Sequence, residues 1–374
     1  MSEMAKGMEL RAPISVDINI TRRCNLRCSF CSADPAEVSD ACASEELNLA
    51  ELHDLFEQIE EMGVFYIRLA GGEPLVRADI YEILKDLRTF SFYKLVLSNG
   101  IPLSRRMVDA LAEAGMSTVG ISLDGPTAEL HDYHRGVPGT FRRVMKNLEH
   151  VRSARLNYSA QFVVTSYNVA QLVDMVKLCE AEGFSALKFI LLNLSGKARE
   201  TLDFFPTFSQ WSAGLLRLTD FLKETVPKVK VTVLPPHEDP VPYELYFPLK
   251  NAGRLEDLLT VWRIDAASAP PAVQTGCAAG RTQLTIFEDG SVYGCDLMKD
   301  HDIWNAGNVR RQRLQTIWDS SAIFQRLRAL HKKELEGPCG ICSFQGCGGG
   351  CRASAYNLHA AIDASDSNCL LTRD

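Results

Sequence analysis

Short runs typical of β-strands alternate with longer amphipathic helical stretches between Ser15 and Leu192. In Leu49–Met62, for example, apolar residues recur on one helical face, and Gly63 follows as a stop signal. Six runs are of the β type: Ser15–Ile20, Val64–Ala70, Lys94–Ser98, Thr118–Ser122, Ala160–Val164 and Ala186–Leu192. This alternation predicts an α/β fold with a parallel sheet. Because six units are fewer than the eight of a closed barrel, we expect a partial (β/α)6 barrel that is open on one side.

After Leu192 the hydrophobic periodicity weakens and the composition changes. Phe208–Leu222 reads as one more amphipathic helix and Val229–Leu234 as a strand, whereas 235–271 has the weakest periodicity. From Gly276 onward cysteine and glycine dominate, which predicts sparse regular structure and a small domain held together by metal. We therefore expect three segments: a partial barrel at 1–234, a linker or bridging region at 235–275 and a small C-terminal metal-binding domain at 276–374.

The overall composition is that of an ordinary folded protein. The 374 residues are 46% hydrophobic and 23% charged, and the net charge of -7 argues against a nucleic-acid partner. The segment Met1–Pro13 has no long apolar stretch, so it does not read as a signal peptide, and no run approaches the length of a transmembrane helix. We expect a cytoplasmic protein without a membrane partner.

Cysteine is the unusual residue, with twelve copies gathered mainly at two places. Only Cys42 and Cys179 stand apart, and we expect them to be ordinary buried or loop residues. In a long chain without an export signal, such clusters indicate metal ligands rather than disulfides.

The first cluster places Cys24, Cys28 and Cys31 within eight residues, just after the first predicted strand. Thiolates favour zinc or an iron–sulfur cluster, and zinc stays open as the alternative. Three thiolates on one loop would leave a four-iron cube with one iron that has no protein ligand. An open metal position of this kind is where a substrate can bind.

The spacing Cys-x3-Cys-x-aromatic-Cys resembles the radical SAM superfamily, and Gly71-Gly72-Glu73-Pro74 after the second strand looks like its GGE motif. The resemblance implies a [4Fe–4S] cluster on the three cysteines, S-adenosylmethionine (SAM) on the open iron, and cleavage to a 5′-deoxyadenosyl radical. It also implies an electron donor such as flavodoxin or ferredoxin. The family fold is a six-unit partial barrel. The implied cofactor-binding residues are Phe30, Gly71, Gly72, Glu73, Ser98, Asn99, Ser122 and Asp124.

The resemblance assigns different parts of SAM to different residues of this set. By the resemblance, Phe30 packs near adenine, and the motif that ends in Glu73 contacts the amino group of SAM. Ser122 and Asp124 follow the fourth strand, where many members of the family place groups near the ribose and the methionine. As plain alternatives, Phe30 belongs to the core and the Asp-Gly and Gly-Gly pairs are simple turns.

The second cluster looks like the SPASM domain of the same superfamily, which carries auxiliary iron–sulfur clusters. Its seven cysteines are Cys277, Cys295, Cys339, Cys342, Cys347, Cys351 and Cys369. The gap of four residues before Cys347 is one shorter than the usual spacing. A pair of zinc knuckles is the alternative. The resemblance assigns one cluster to Cys339, Cys342, Cys347 and Cys369, and the other to Cys277, Cys295 and Cys351.

The set Cys277, Cys295 and Cys351 has no fourth cysteine. Sulfatase maturases have an extra cysteine shortly before the first of the seven, but 270–276 offers no thiolate here. Either an exchangeable iron that could bind substrate or a non-cysteine protein ligand would result. Asp296, directly after Cys295, matches the aspartate that serves as the base in anaerobic sulfatase maturases, although it could simply cap a turn.

The whole pattern is most similar to peptide-modifying SPASM enzymes of the mycofactocin and pyrroloquinoline-quinone type. That resemblance implies oxidation or cross-linking of a residue in a ribosomally made precursor peptide. Because only about two dozen residues precede Cys24, too few for a fused recognition domain, we expect a separate peptide-recognition protein or direct peptide binding. The alternatives are sulfatase-maturase-like oxidation of Cys or Ser, radical chemistry on a small molecule such as a tetrapyrrole, and a non-catalytic zinc or electron-transfer protein.

Overall fold

A computed structural model describes residues 10–32, 45–235 and 237–369. Cys42 lies outside the described residues. Ten strands form one sheet: β1 (Ser15–Asn19), β2 (Tyr66–Ala70), β3 (Tyr93–Ser98), β4 (Thr118–Ser122), β5 (Tyr158–Val164), β6 (Ala186–Leu191), β7 (Lys230–Leu234), β8 (Gln283–Ile286), β9 (Ser291–Tyr293) and β10 (Gly307–Asn308).

Thirteen helices are described along the chain. Those of the first part are α1 (Leu49–Glu61), α2 (Ile80–Leu87), α3 (Arg105–Glu113), α4 (Ala128–Arg135), α5 (Thr140–Ser153), α6 (Leu172–Ala181) and α7 (Phe208–Thr225). Those of the second part are α8 (Tyr243–Asn251), α9 (Glu256–Thr260), α10 (Leu314–Ser320), α11 (Ala322–Ala329), α12 (Pro338–Ile341) and α13 (Arg352–His359). None of the described helices is long and apolar enough to cross a membrane.

The predicted parallel sheet is confirmed. Strands β1 to β7 follow one another across the sheet in chain order and are all parallel to their neighbours. The order does not close on itself, so the barrel is partial and open, as expected. The seventh parallel strand adds to the six predicted units and pairs with β6.

Helix α1 shows how local sequence fixes the helices around this sheet. Asn48 caps its first turn in a capping box with Glu51, and Gly63 beyond its end has a φ of 73°. Leu52 and Phe56 lie on the face that packs into the main core. Burial of this apolar stripe, more than helix propensity, holds the helix on the sheet.

We expected sparse regular structure in the C-terminal part, but it contains three strands and four helices among the described residues. Strand β8 pairs in parallel with β1, while β9 and β10 continue the sheet in antiparallel fashion. Leu284 and Ile286 are fully buried and join the main core. The cysteine and glycine content hid these short strands, because each becomes stable only when it pairs with its neighbour in the sheet. The proposed boundaries at 234/235 and 275/276 therefore divide a continuous sheet.

The stretch with the weakest periodicity also has structure. It contains α8 and α9, and Trp211 of α7 donates its indole N–H to the carbonyl oxygen of Glu244 at 2.8 Å. Pro248 lies inside α8, which explains why the pattern did not indicate a helix there.

Candidate active site

The loop that carries Cys24, Cys28 and Cys31 begins directly after β1, at the carboxyl edge of the sheet. Cys28 is buried, and the other two thiols are partly buried. Burial raises the pKa of the Cys24 thiol to about 12, and the neighbouring charges of Glu73, Cys28 and Cys31 add to the rise. Such closely spaced thiols become thiolates only with a compensating cation, so this donor set fits an iron–sulfur cluster.

Gly71 and Gly72 hold the loop after β2 against the segment that enters the cysteine loop. The backbone N–H of Gly72 donates to the carbonyl oxygen of Thr21, and that of Glu73 donates to the carbonyl oxygen of Arg23, each at 2.8 Å. A Cβ atom at either glycine would collide with one of these same carbonyl oxygens, and Gly71 has a φ of 133°. Only glycine therefore allows this approach of two backbones.

Glu73 lies buried between two loops. One carboxylate oxygen accepts from the backbone N–H of Asn99 at 2.6 Å, and the other accepts from that of Leu75 at 3.2 Å. Burial raises the pKa of Glu73 to about 7, although these hydrogen bonds oppose the rise. The side chain thus ties the loop after β2 to the loop after β3. Its assignment to the amino group of SAM stays a prediction.

The predicted residues after β3 and β4 lie at the same edge of the sheet. The Asn99 amide donates to the side-chain oxygen of Asn25 at 2.6 Å, which links it to the cysteine loop. The hydroxyl of Ser98 accepts from the backbone N–H of Gly100 at 3.0 Å, and Ser122 ends β4 in a partly buried position. These contacts bring the end of β3 close to the first cysteine cluster.

Asp124 is fully buried and belongs to an ion pair that the sequence interpretation missed. Its carboxylate contacts the guanidinium of Arg135 at 2.6 Å and accepts from the backbone N–H of Val163 at 3.0 Å. A second guanidinium nitrogen of Arg135 lies 3.7 Å from the Cys28 sulfur. Asp124 therefore reaches the cysteine loop through Arg135. Its own contact with SAM stays a prediction.

Phe30 packs in a small aromatic group beside this ion pair. Its ring centroid lies 5.7 Å from that of His134 and 6.2 Å from that of Phe204, while the Arg135 guanidinium lies 5.8 Å from the ring. The buried ring thus shares its surroundings with the positive charge near Cys28. Packing near adenine stays a prediction.

The seven downstream cysteines lie in two neighbourhoods, and their assignment as ligands of two clusters stays a prediction. Burial raises the pKa of Cys295 well above its usual value, and the charges of Asp296, Cys277 and Cys351 add to the rise, so these groups lie together. The other four cysteines share a cavity whose space is about 350 Å³, open solvent included; they are Cys339, Cys342, Cys347 and Cys369.

Among the described residues, no three His, Cys, Asp or Glu side chains come together as ligands of one metal ion. The remaining described cysteine, Cys179, is buried in α6, and burial raises the pKa of its thiol. It joins neither set.

Asp296 directly follows Cys295 and lies near Asp17 and Arg68, on the concave side of the sheet. It is exposed to solvent there, yet the surrounding protein desolvates it and raises its pKa, with a further rise from Asp17 and an opposing effect from Arg68. Asp296 therefore neighbours two charged residues of β1 and β2. The backbone N–H groups of Asp296 and Leu297 also interact with its carboxylate and oppose the rise in pKa.

Comparisons with known proteins identify the family. The model described as the radical SAM superfamily matches residues 18–179, and the SPASM iron–sulfur cluster-binding model matches residues 277–343. A relative called AdoMet-dependent heme synthase, from Oleidesulfovibrio alaskensis, is 30% identical over 94% of this chain and 85% of its own length. The chain belongs to the radical SAM superfamily.

Other relatives of this radical SAM chain have different names. The mycofactocin maturase MftC of Mycobacterium tuberculosis is 29% identical over 99% of this chain and 85% of its own length. Among solved structures, Streptococcus suis SuiB bound to its precursor peptide SuiA has a TM-score of 0.74 at 16% identity, covering 96% of this chain and 76% of that one. That similarity shows that the two chains share a fold.

The sequence motifs identified the radical SAM residues, but not the residues elsewhere in the chain that contact the cysteine loop. Arg135 ends α4, and its backbone oxygen accepts from the N–H of Arg27 in the cysteine loop at 3.3 Å. The only local signal is Gly136, whose φ is 69° and whose position would bring an added Cβ against the Arg27 carbonyl. No spacing rule connects Arg135 with Cys28, because the contact depends on how α4 packs.

Proposed function

We propose that this radical SAM enzyme modifies a residue of a ribosomally made precursor peptide by hydrogen abstraction. The observation that carries the proposal is the position of Asp296, which lies next to an auxiliary-set cysteine and faces the concave side of the barrel. A substrate on that side would lie below the loop of Cys24 and within reach of a carboxylate. The similarity to mycofactocin maturases over nearly the whole chain supports a peptide as the substrate.

Each part of the site has a task in this proposal. Cys24, Cys28 and Cys31 would hold the [4Fe–4S] cluster, while the seven downstream cysteines would hold two auxiliary clusters. When bound, the clusters supply the electron that cleaves SAM into a 5′-deoxyadenosyl radical and accept electrons from the substrate.

The protein's own groups would prepare this chemistry. The loop that ends in Glu73 would present SAM, and the Arg135 guanidinium, 3.7 Å from the Cys28 sulfur, would offset the negative charge of the thiolate. Asp296 would accept the proton that the substrate loses, because its raised pKa makes it a better base than an ordinary surface aspartate. A separate peptide-recognition protein and a flavodoxin or ferredoxin would be the partners.

A second candidate substrate is a tetrapyrrole. The relative called AdoMet-dependent heme synthase is 30% identical over 94% of this chain, which supports that option as directly as the maturase supports a peptide. Both substrates would occupy the same concave side and use the same SAM-binding loops. Product analysis with each substrate class distinguishes them.

The first experiment removes the three cysteines of the radical cluster. In the anaerobically reconstituted Cys24/Cys28/Cys31→Ala variant, we expect reductive cleavage of SAM to 5′-deoxyadenosine to vanish while the auxiliary clusters remain. Cys179→Ala is the matched control, because this cysteine belongs to neither set, and it should cleave SAM at the wild-type rate. Normal cleavage by the triple variant would reject the proposed radical site.

The second experiment assigns the substrate. Wild-type protein, SAM and reductant are incubated either with the peptide from a short reading frame beside the gene or with a propionate-bearing tetrapyrrole. We expect a mass change in the peptide that depends on Cys24. A Cys24-dependent change in the tetrapyrrole alone would replace the peptide proposal with the second candidate.

A further inference from the structure

Charged and polar side chains form a row on the concave side of the sheet. Asp17 in the middle of β1 pairs in register with Arg68 on β2 and with Thr285 on β8. Side chains at paired positions of neighbouring strands point to the same face. The neighbouring Val16 and Ile18 point the other way, into the main core. The carboxylate of Asp17 forms an ion pair with the Arg68 guanidinium.

Lys188 lies on the same face, toward the other end of the barrel. It belongs to β6 and pairs in register with Gln161 on β5 and Thr232 on β7. Its neighbours in sequence, Leu187 and Phe189, are fully buried on the opposite face. Lys188 itself is only partly buried.

Across the part of the chain that the structure describes, no carboxylate forms an ion pair with Lys188 and no group accepts a hydrogen bond from it. Desolvation lowers its pKa, and the positive charges of Arg68 and Lys230 lower it further. The charged groups that act on Lys188 are thus positive, like Lys188 itself. Of these two, Arg68 already has Asp17 as its partner. A partly desolvated ammonium without a counterion is unfavourable until an anion binds.

Unused hydrogen-bonding groups accompany this charge. The second oxygen of Asp17 and the hydroxyl of Thr285 are buried without a hydrogen-bond partner. Buried polar atoms without partners are uncommon in proteins and indicate a place for water or a ligand. Among the described residues, the concave side thus offers the Lys188 ammonium without an ion-pair partner and two buried polar atoms without hydrogen-bond partners.

We propose that Lys188, assisted by Arg68, binds a carboxylate group of the substrate on the concave side of the barrel. The anion is a carboxylate rather than a phosphate, because Asp17 already neutralises Arg68 and the single ammonium of Lys188 balances one negative charge rather than two. The proposal rests on the proposed function, since it concerns the same substrate site. The carboxylate would come from a peptide terminus or acidic side chain, or from a tetrapyrrole propionate.

Two pairs of probes test this site in the reconstituted enzyme. Each pair has a free acid and a neutral form: N-acetyl-Ala-Ala-Tyr and its C-terminal amide, and coproporphyrin III and its tetramethyl ester. We expect the wild type to bind at least one acid more tightly than its neutral form. Lys188→Met should weaken binding of that acid about tenfold, which corresponds to about 1.4 kcal/mol, and leave binding of the neutral form unchanged. Lys188→Arg should restore most of the preference.

The controls separate this proposal from the function on which it rests. Lys177→Met changes an exposed lysine on α6 and should bind every probe as the wild type does. Iron content and the melting temperature of Lys188→Met report whether that variant is intact. The proposal is overturned if the wild type prefers neither acid, or if Lys188→Met binds the preferred acid as tightly as the wild type. Failure of the wild type to cleave SAM would instead reject the proposed function.

The peptide pair and the porphyrin pair of probes also identify the source of the carboxylate. Loss of preference for the peptide acid alone would indicate a peptide carboxylate, and loss for the porphyrin acid alone would indicate a propionate. Either result supports the site at Lys188.

Discussion

At the scale of single residues, the site depends on side chains whose surroundings change their ordinary behaviour. Glu73 is a buried carboxylate that accepts two backbone hydrogen bonds, and Asp296 is a carboxylate with a raised pKa beside two charged neighbours. The first of these residues organises loops, whereas the second faces open space. Substitution should therefore affect them in different ways.

For Glu73→Ala we expect weaker SAM binding and lower stability together. The substitution leaves the buried N–H groups of Leu75 and Asn99 without their carboxylate acceptor. Each unsatisfied N–H group lowers the free energy of unfolding by about 1–3 kcal/mol. Equilibrium binding of SAM and a denaturant titration measure the two effects, and the radical cluster should remain. Unchanged SAM affinity would mean that neither the carboxylate nor the loop it fixes contributes to binding.

For Asp296→Asn we expect SAM cleavage without efficient turnover. The amide keeps the size of the side chain but cannot accept a proton, so 5′-deoxyadenosine should form while modified substrate stays about 100-fold below the wild-type level. Simultaneous quantification of both products by mass spectrometry tests this. Product formation at the wild-type rate would make Asp296 a structural residue.

At the scale of elements, α4 connects the sheet with the cysteine loop. Thr127 caps its first turn, and Arg135 at its end joins Asp124 to the Cys28 sulfur. The helix therefore places a positive charge beside Cys28, which we propose as a ligand of the radical cluster. A change at Arg135 should act on the cluster without touching its ligands.

We expect Arg135→Gln to make the radical cluster harder to reduce. Removing a positive charge near Cys28 disfavours the added negative charge of the reduced state, so the reduction potential should become more negative. A redox titration followed by electron paramagnetic resonance measures the shift. Arg152→Gln, which removes an exposed arginine paired with Glu182, is the control and should not change the potential. An equal potential in both variants would contradict the role of Arg135.

At the scale of the whole molecule, the SPASM part is built into the barrel sheet. Strand β8 occupies the free side of β1, and Leu284 and Ile286 fill the core beside it. The N-terminal part thus depends on C-terminal residues to cover its first strand. An exposed strand edge with apolar neighbours promotes aggregation.

We therefore expect a chain of residues 1–275 to aggregate or to unfold rather than form a free barrel. Removal of β8 leaves the backbone groups of β1 unpaired on one side and exposes part of the core. Size-exclusion chromatography and circular dichroism of the truncated chain, compared with the full chain, test this. A soluble monomer with a cooperative unfolding transition would show that the barrel folds independently.

The number of iron atoms reports all three sites at once. Reconstituted protein should hold roughly twelve irons if every site carries a four-iron cluster, and about eight in the Cys24/Cys28/Cys31→Ala variant. We expect added thiol or substrate to change the auxiliary signals of that variant, because the proposed ligands Cys277, Cys295 and Cys351 would supply only three thiolates. Unchanged signals, together with four protein ligands on each auxiliary cluster, would contradict an open iron.

The sequence by itself determined the parallel sheet, the radical SAM family and the two groups of cysteines. These features depend on local periodicity and on spacings within short segments, such as the eight residues from Cys24 to Cys31. Only the tertiary structure decided that β8 would pair with β1, that Arg135 would reach Cys28, and that Lys188 would share a face with Arg68. Such contacts join residues far apart in the chain, and their geometry depends on packing and sheet curvature rather than on any local pattern.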